Sequence, residues 1–158
     1  MAKFRADFID AAIAVNTTTA GTHSSSGTAV RRHKILEFSI GVETPADQTF
    51  RITGQRYTAD GSNTAVVPTA LDYAIPGTAT AEAFLGLAGE AFTVEPTYTA
   101  TLYVFNQVVS MRNPLLYYAP PGAEIVVPAV NEMGVGWWFG AVSSGTPAAV
   151  SSVIVEEL

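Results

Sequence analysis

The chain has no cysteine, only two histidines, and charged side chains at just 14% of its 158 positions. Without cysteine there are no disulfides, no thiolate nucleophile and no Cys-rich metal cluster, and the chain suits a reducing compartment or assembly inside a cell. Two imidazoles supply few general bases or metal ligands. Basic residues are scarce as well, 8 against 14 acidic, for a net charge of −6. An acidic surface is the wrong sign for gripping phosphates, so direct nucleic-acid binding is not expected. Long apolar runs are missing too. None approaches the ~20 residues of a membrane helix, and Met1-Ala2-Lys3-Phe4-Arg5-Ala6-Asp7 is interrupted by charge where a signal peptide needs an apolar core.

What remains is 48% apolar residues punctuated by Gly, Pro, Thr and Ser. Such a chain fits a single domain, for which about 100–200 residues is usual, and it can bury a sizeable core without staples. Nine prolines, at positions 45, 68, 76, 96, 114, 120, 121, 128 and 147, leave few windows for a helix. The windows between them favour Val, Ile, Thr and aromatic residues, which suit a pleated, half-buried surface.

Arg31 to Val42 alternates cleanly, with Leu36, Phe38, Ile40 and Val42 on one face and Ile35, Glu37, Ser39 and Gly41 on the other. Gln48 to Tyr57 continues with Phe50 and Ile52 inward and Arg51, Thr53 and Gln55 outward, before a turn at Asp60-Gly61-Ser62-Asn63. Asn63 to Phe92 is irregular and reads as long loops with one or two short strands. Thr97 to Met111 sets Leu102, Val104 and Val108 against Tyr103, Phe105 and Val109. Asn113 to Ala119 is a short strand, Pro120-Pro121-Gly122 a turn, and Glu124 to Val127 a return strand stopped by Pro128. Met133 to Val142 carries Trp137 and Phe139 on one face and Trp138 on the other. Ala149 to Glu157 closes the chain with Val153 and Val155 opposite Ile154.

The N-terminal part is less regular. Phe4 to Val15 is open between an amphipathic helix, from the spacing of Phe4, Phe8, Ile9 and Ile13, and a strand or extended arm. Asn16 to Thr28 is a Thr- and Ser-rich stretch expected to form a mobile loop. Residues 1–28 are therefore expected to be an irregular arm that orders on binding a neighbour, ahead of a β domain over 29–158. About eight turn-punctuated strands predict an all-β, two-sheet sandwich of jelly-roll type.

Four stretches give the chain a likeness to known proteins. They are Ala65-Val66-Val67-Pro68-Thr69-Ala70-Leu71-Asp72, Glu95-Pro96-Thr97-Tyr98-Thr99-Ala100, Ala119-Pro120-Pro121-Gly122-Ala123-Glu124-Ile125-Val126-Val127-Pro128-Ala129 and Val153-Ile154-Val155-Glu156-Glu157. Residues 31–158 resemble small tailed-phage virion proteins of the jelly-roll capsid decoration (cement) type. Arg112-Asn113-Pro114-Leu115-Leu116-Tyr117-Tyr118 departs from that pattern, because a proline stands where the strand should begin. The resemblance implies a protein of the virion surface, assembled in the host cytoplasm. Its partners would be the major capsid protein and copies of itself, by analogy a homotrimer.

Chemistry-bearing groups are sparse. His23, in the Ser/Thr-rich loop, and His33, on an outward strand face, are expected to be exposed and to bind no metal. No Gly-x-Ser-x-Gly elbow occurs, and Gly134-Val135-Gly136 lacks the Lys and Ser/Thr of a phosphate loop. The acids Glu90, Glu95, Glu124, Glu132, Glu156 and Glu157 are scattered singly rather than paired for glycoside hydrolysis. No catalytic set, cofactor or metal is expected. The residues that stand out are candidates for contact: Phe4, Phe8, Arg31, Arg32, Tyr117, Tyr118, Trp137 and Trp138. Arg31-Arg32-His33-Lys34 could grip an acidic neighbour or simply be solvated. Trp138, Tyr117 and Tyr118 carry the alternative function, a carbohydrate-binding module or receptor-binding head, if they form one exposed aromatic platform.

Overall fold

The computed structural model describes residues 3–12, 18–25, 32–43, 47–71, 86–130, 133–140 and 148–158. Among these residues there are twelve strands and no helix. In chain order they are β1 (Lys3–Ala12), β2 (Thr18–Ser25), β3 (His33–Val42), β4 (Thr49–Ala59), β5 (Ser62–Val66) and β6 (Thr69–Ala70). Then follow β7 (Gly86–Val94), β8 (Thr97–Ser110), β9 (Leu115–Tyr118), β10 (Ile125–Val127), β11 (Gly134–Phe139) and β12 (Ala148–Glu157).

Every pairing among the described residues is antiparallel, and four of them are nested. The first strand bonds to the last, β1 to β12; then β2 bonds to β11, β3 to β10 and β4 to β8. Successive pairs fall alternately in the two sheets, and β12–β3 and β11–β4 join them into rows. A long hairpin wrapped on itself in this way is a jelly roll. One sheet runs β10-β3-β12-β1-β6, with β9 beside β10 on the same edge of β3, and the other runs β5-β7-β2-β11-β4-β8. The expected all-β sandwich is the observed fold, and β5, β6, β7 and β9 extend the eight wrapped strands.

The core lies between the sheets. Phe4, Phe8, Phe38, Ile40, Val153 and Val155 come from one side, and Phe50, Ile52, Val135, Trp137 and Phe139 from the other. Trp137 sits at the centre, edge-on to Phe8 at 4.9 Å and to Phe38 at 5.1 Å between ring centroids. Its indole Nε1–H donates to the buried Ser151 hydroxyl at 3.2 Å, so the ring's one polar group is satisfied. Gly21 is needed where these rings meet β2, because a Cβ there would lie 2.8 Å from both Phe8 and Trp137. At Pro120-Pro121-Gly122 the chain reverses as expected. Ala123 N–H donates to the Pro120 carbonyl at 2.9 Å, and Gly122 takes the positive φ of 87° that the third position of such a turn demands.

Two expectations are corrected. Residues 3–12 and 18–25 are not arm and loop: β1 lies between β12 and β6, and β2 between β11 and β7. Phe4, Ala6 and Phe8 are all 0% exposed, because the alternating residues of β1 fill the core. The rest of the expected arm, residues 1–2, 13–17 and 26–28, lies outside the described residues. The second correction concerns phase. The β3–β12 register slips between Ile154, opposite Glu37, and Val155, opposite Ile35, which leaves Leu36 as an extra residue in a bulge. Phe38 and Ile40 face inward as expected. Before the bulge the faces exchange, and Ile35 and His33 turn into the core.

Candidate interaction surface

The structure separates the eight contact candidates. Phe4, Phe8 and Trp137 are core residues that nothing outside the folded chain can touch, which corrects their expected role in contact. Arg31 lies outside the described residues. Arg32 is exposed, and its carbonyl accepts the Leu158 backbone N–H at 3.0 Å, which ties the chain end to the start of β3. Tyr117 is half-buried and stacks on Phe105 at 6.3 Å. Tyr118 points the other way and is 62% exposed.

Phe105 and Tyr117 locate a flank of the sandwich. Phe105 belongs to β8, the edge of one sheet, and Tyr117 to β9, on the edge of the other; Phe105 also reaches Phe38, 5.2 Å away in the core. Outside this inner seam, the same two strands expose apolar side chains: Leu102, Tyr103 and Val108 from β8, Leu116 and Tyr118 from β9. Val108 is 65% exposed and Tyr103 52%. Neither strand contains a charged residue. Among the described residues β8 bonds to a neighbour on one side only. Edge strands are commonly protected from pairing by charge or proline, and fourteen uncharged residues with large apolar side chains outward offer no such protection.

Trp138 is on the outer face of the second sheet, the face that also carries Val108, opposite Arg51, and Tyr103, opposite Gln55. It shares that face with Gln55, Thr19, Tyr98 and Glu95, around a pocket of about 210 Å³. Its indole N–H donates to Gln55 Oε1 at 3.4 Å, and Gln55 Nε2 donates to the Thr99 carbonyl at 2.7 Å. The Thr19 amide and hydroxyl both donate to Glu95, and the Thr19 and Tyr98 hydroxyls meet at 2.8 Å. Burial is the main cause of a Tyr98 phenol pKa pushed well above the ordinary range. Gly136 makes room for this phenol, since a Cβ there would lie 2.5 Å from its oxygen. These bonds join the start of β8 to β2 and β4 across the bulge at residues 99–102, where Thr101 has φ 66°. The pocket's polar groups are turned on one another, which makes it a brace for the bulge. Trp138 and the Tyr117–Tyr118 pair stand on strands of different sheets, so the aromatic platform expected for a sugar is not assembled.

The histidines were also misplaced by sequence reasoning. His23 of β2 and His33 of β3 are both 0% exposed and meet across the sandwich, ring centroids 4.6 Å apart. The sequence signal for this was weak: β2 is polar in composition, and the bulge at Leu36 hides the phase of β3. Among the described residues no three His, Asp or Glu side chains are grouped to hold a metal.

No protein-family profile matches the chain, and no curated protein matches it. Among solved structures, that of infectious bursal disease virus, Gx strain, aligns at 11% identity over 99% of this chain, with a TM-score of 0.19. T=1 particles derived from infectious bursal virus align at 11% identity over 99% of this chain, with a TM-score of 0.20. This chain spans about two fifths of those proteins, 39% and 40%. Likeness at that level carries no argument about fold or function, and the fold rests on the strand pairing described above.

Proposed function

We propose that this protein is a non-enzymatic structural protein of a virion, a decoration or cement protein on the outer surface of a tailed-phage head. It binds the major capsid protein, stabilises contacts between capsomers and associates with copies of itself, as a homotrimer. The observation that supports this reading is the pair of uncharged edge strands, β8 and β9, which hold Leu102, Tyr103 and Val108 on one sheet and Leu116 and Tyr118 on the other out to solvent. The resemblance of residues 31–158 to decoration proteins supplies the identity of the partner. The mechanism is burial of area. Each Å² of apolar surface covered contributes about 25 cal/mol, and repetition around a symmetric assembly turns a modest contact into firm attachment.

Co-sedimentation with particles that lack the protein tests this. The wild type is expected to pellet with them. The double variant Val108→Lys/Tyr118→Lys, altered only at exposed positions, is expected to stay in the supernatant while keeping its fold by circular dichroism. Equal pelleting of both proteins would remove the flank from the account. The carbohydrate reading is left without a shared platform, because Trp138 and Tyr118 stand on different sheets, and specific retention on a glycan array would restore it.

A further inference from the structure

His23 and His33 are the only two imidazoles in the chain, and the fold brings them together from opposite sheets into the core at 4.6 Å. Their strand neighbours define the surroundings. His23 pairs with Val135 on β11 and with Ala88 on β7, and His33 pairs with Val127 on β10 and with Glu157 on β12. Val135 and Val127 are fully buried and Glu157 nearly so, so no bulk water reaches the rings on the β10, β11 and β12 sides. Among the described residues, three charged groups face this layer. Glu157 lies beside His33. Arg56 lies beside Val135 and crosses to donate to the Val126 carbonyl at 3.1 Å. Half-buried Glu90 lies two residues along β7 from Ala88. Lys34 and Glu156, the next residues along from His33 and Glu157, alternate to the outer face, where Lys34 meets Glu124 at 3.7 Å.

We propose that the His23–His33 pair is an acid-sensitive latch: neutral imidazoles let the two sheets close over them, and acidification drives the sheets apart at this end. Two cations at this separation repel strongly when water is excluded, and among the described residues Glu157 is the carboxylate paired beside them, with Arg56 crossing the same layer. Burial, and after it the charge of His33, holds the His23 pKa well below its ordinary 6.5. The sign follows. The folded value lies below the unfolded one, so below pH 6.5 the unfolded chain binds more protons, and stability present above that pH is lost as the pH falls.

Urea unfolding, followed by tryptophan fluorescence at pH 7.5 and pH 5.5, tests it in the wild type and in His23→Gln/His33→Gln. The wild-type unfolding constant is expected to rise about tenfold for each imidazole that the fold keeps neutral, and the variant's to change by about threefold or less. An equal rise in both proteins overturns the latch, because carboxylates would then account for it. If the double variant does not fold, proton NMR of the wild-type ring Cε1–H signals decides. Neutral-form shifts kept down to pH 5.5 support the latch, and titration near pH 6.5 overturns it.

Discussion

Phe8 and Tyr118 both carry aromatic rings on strands, yet they have opposite parts in the molecule. Phe8 packs against Trp137 with no exposed surface, and Tyr118 is mostly in solvent. Phe8→Ala should therefore cost about 3–5 kcal/mol of stability, and Tyr118→Ala no more than about 0.5 kcal/mol. Urea denaturation of the two variants checks both values; similar losses would contradict the assignment of Phe8 to the core. The sequence was ambiguous here for a geometric reason. The spacing of Phe4 and Phe8, four residues, places two side chains on one face of a helix and equally on one face of a strand. Only Ala6 between them, too small to give a clear apolar signal, separates the two periods. At Trp137, Trp138 and Phe139 the alternation was unambiguous, and the expected division of faces is the one observed.

Strands with long alternating patterns were legible: β4, β11 and β12 carry their apolar residues on the faces expected of them. β3 was legible up to its bulge, which no propensity announces, and His33 was misplaced as a result. β2 was not legible at all. Its Thr-Thr-Ala-Gly-Thr-His-Ser-Ser text reads as a loop, but its small residues are what the packing requires. Gly21 lies under two aromatic rings, and Thr22 and Ser24 stay buried beside Gly136 and Gly134. Because β1 and β2 are interior members of both sheets, deletion of residues 1–28 should abolish the fold. Circular dichroism and thermal melting are expected to show loss of β signal and of any cooperative transition. A truncated chain that melts cooperatively would show that the two strands are dispensable. The β8–β9 flank was only partly legible. Tyr117 and Tyr118 were singled out as contact residues, but Leu102, Tyr103 and Val108 gain their meaning from β8 lying at a sheet edge, which depends on pairings distant in sequence.

At the scale of the whole molecule, the nested pairing encloses the aromatic core and both histidines, and leaves two uncharged edge strands at one flank. A body of this kind is suited to being packed against, and its buried imidazoles make that body sensitive to acid. The proposal that it belongs to a virion, bound to the head shell, is the claim on which the functional account turns. Quantitative mass spectrometry of purified phage particles, with this chain measured against the major capsid protein, tests that claim most directly. A fixed ratio, reproducible between preparations and retained through a density gradient, is the predicted result. Particles that are intact and infectious yet contain none of this chain would contradict it.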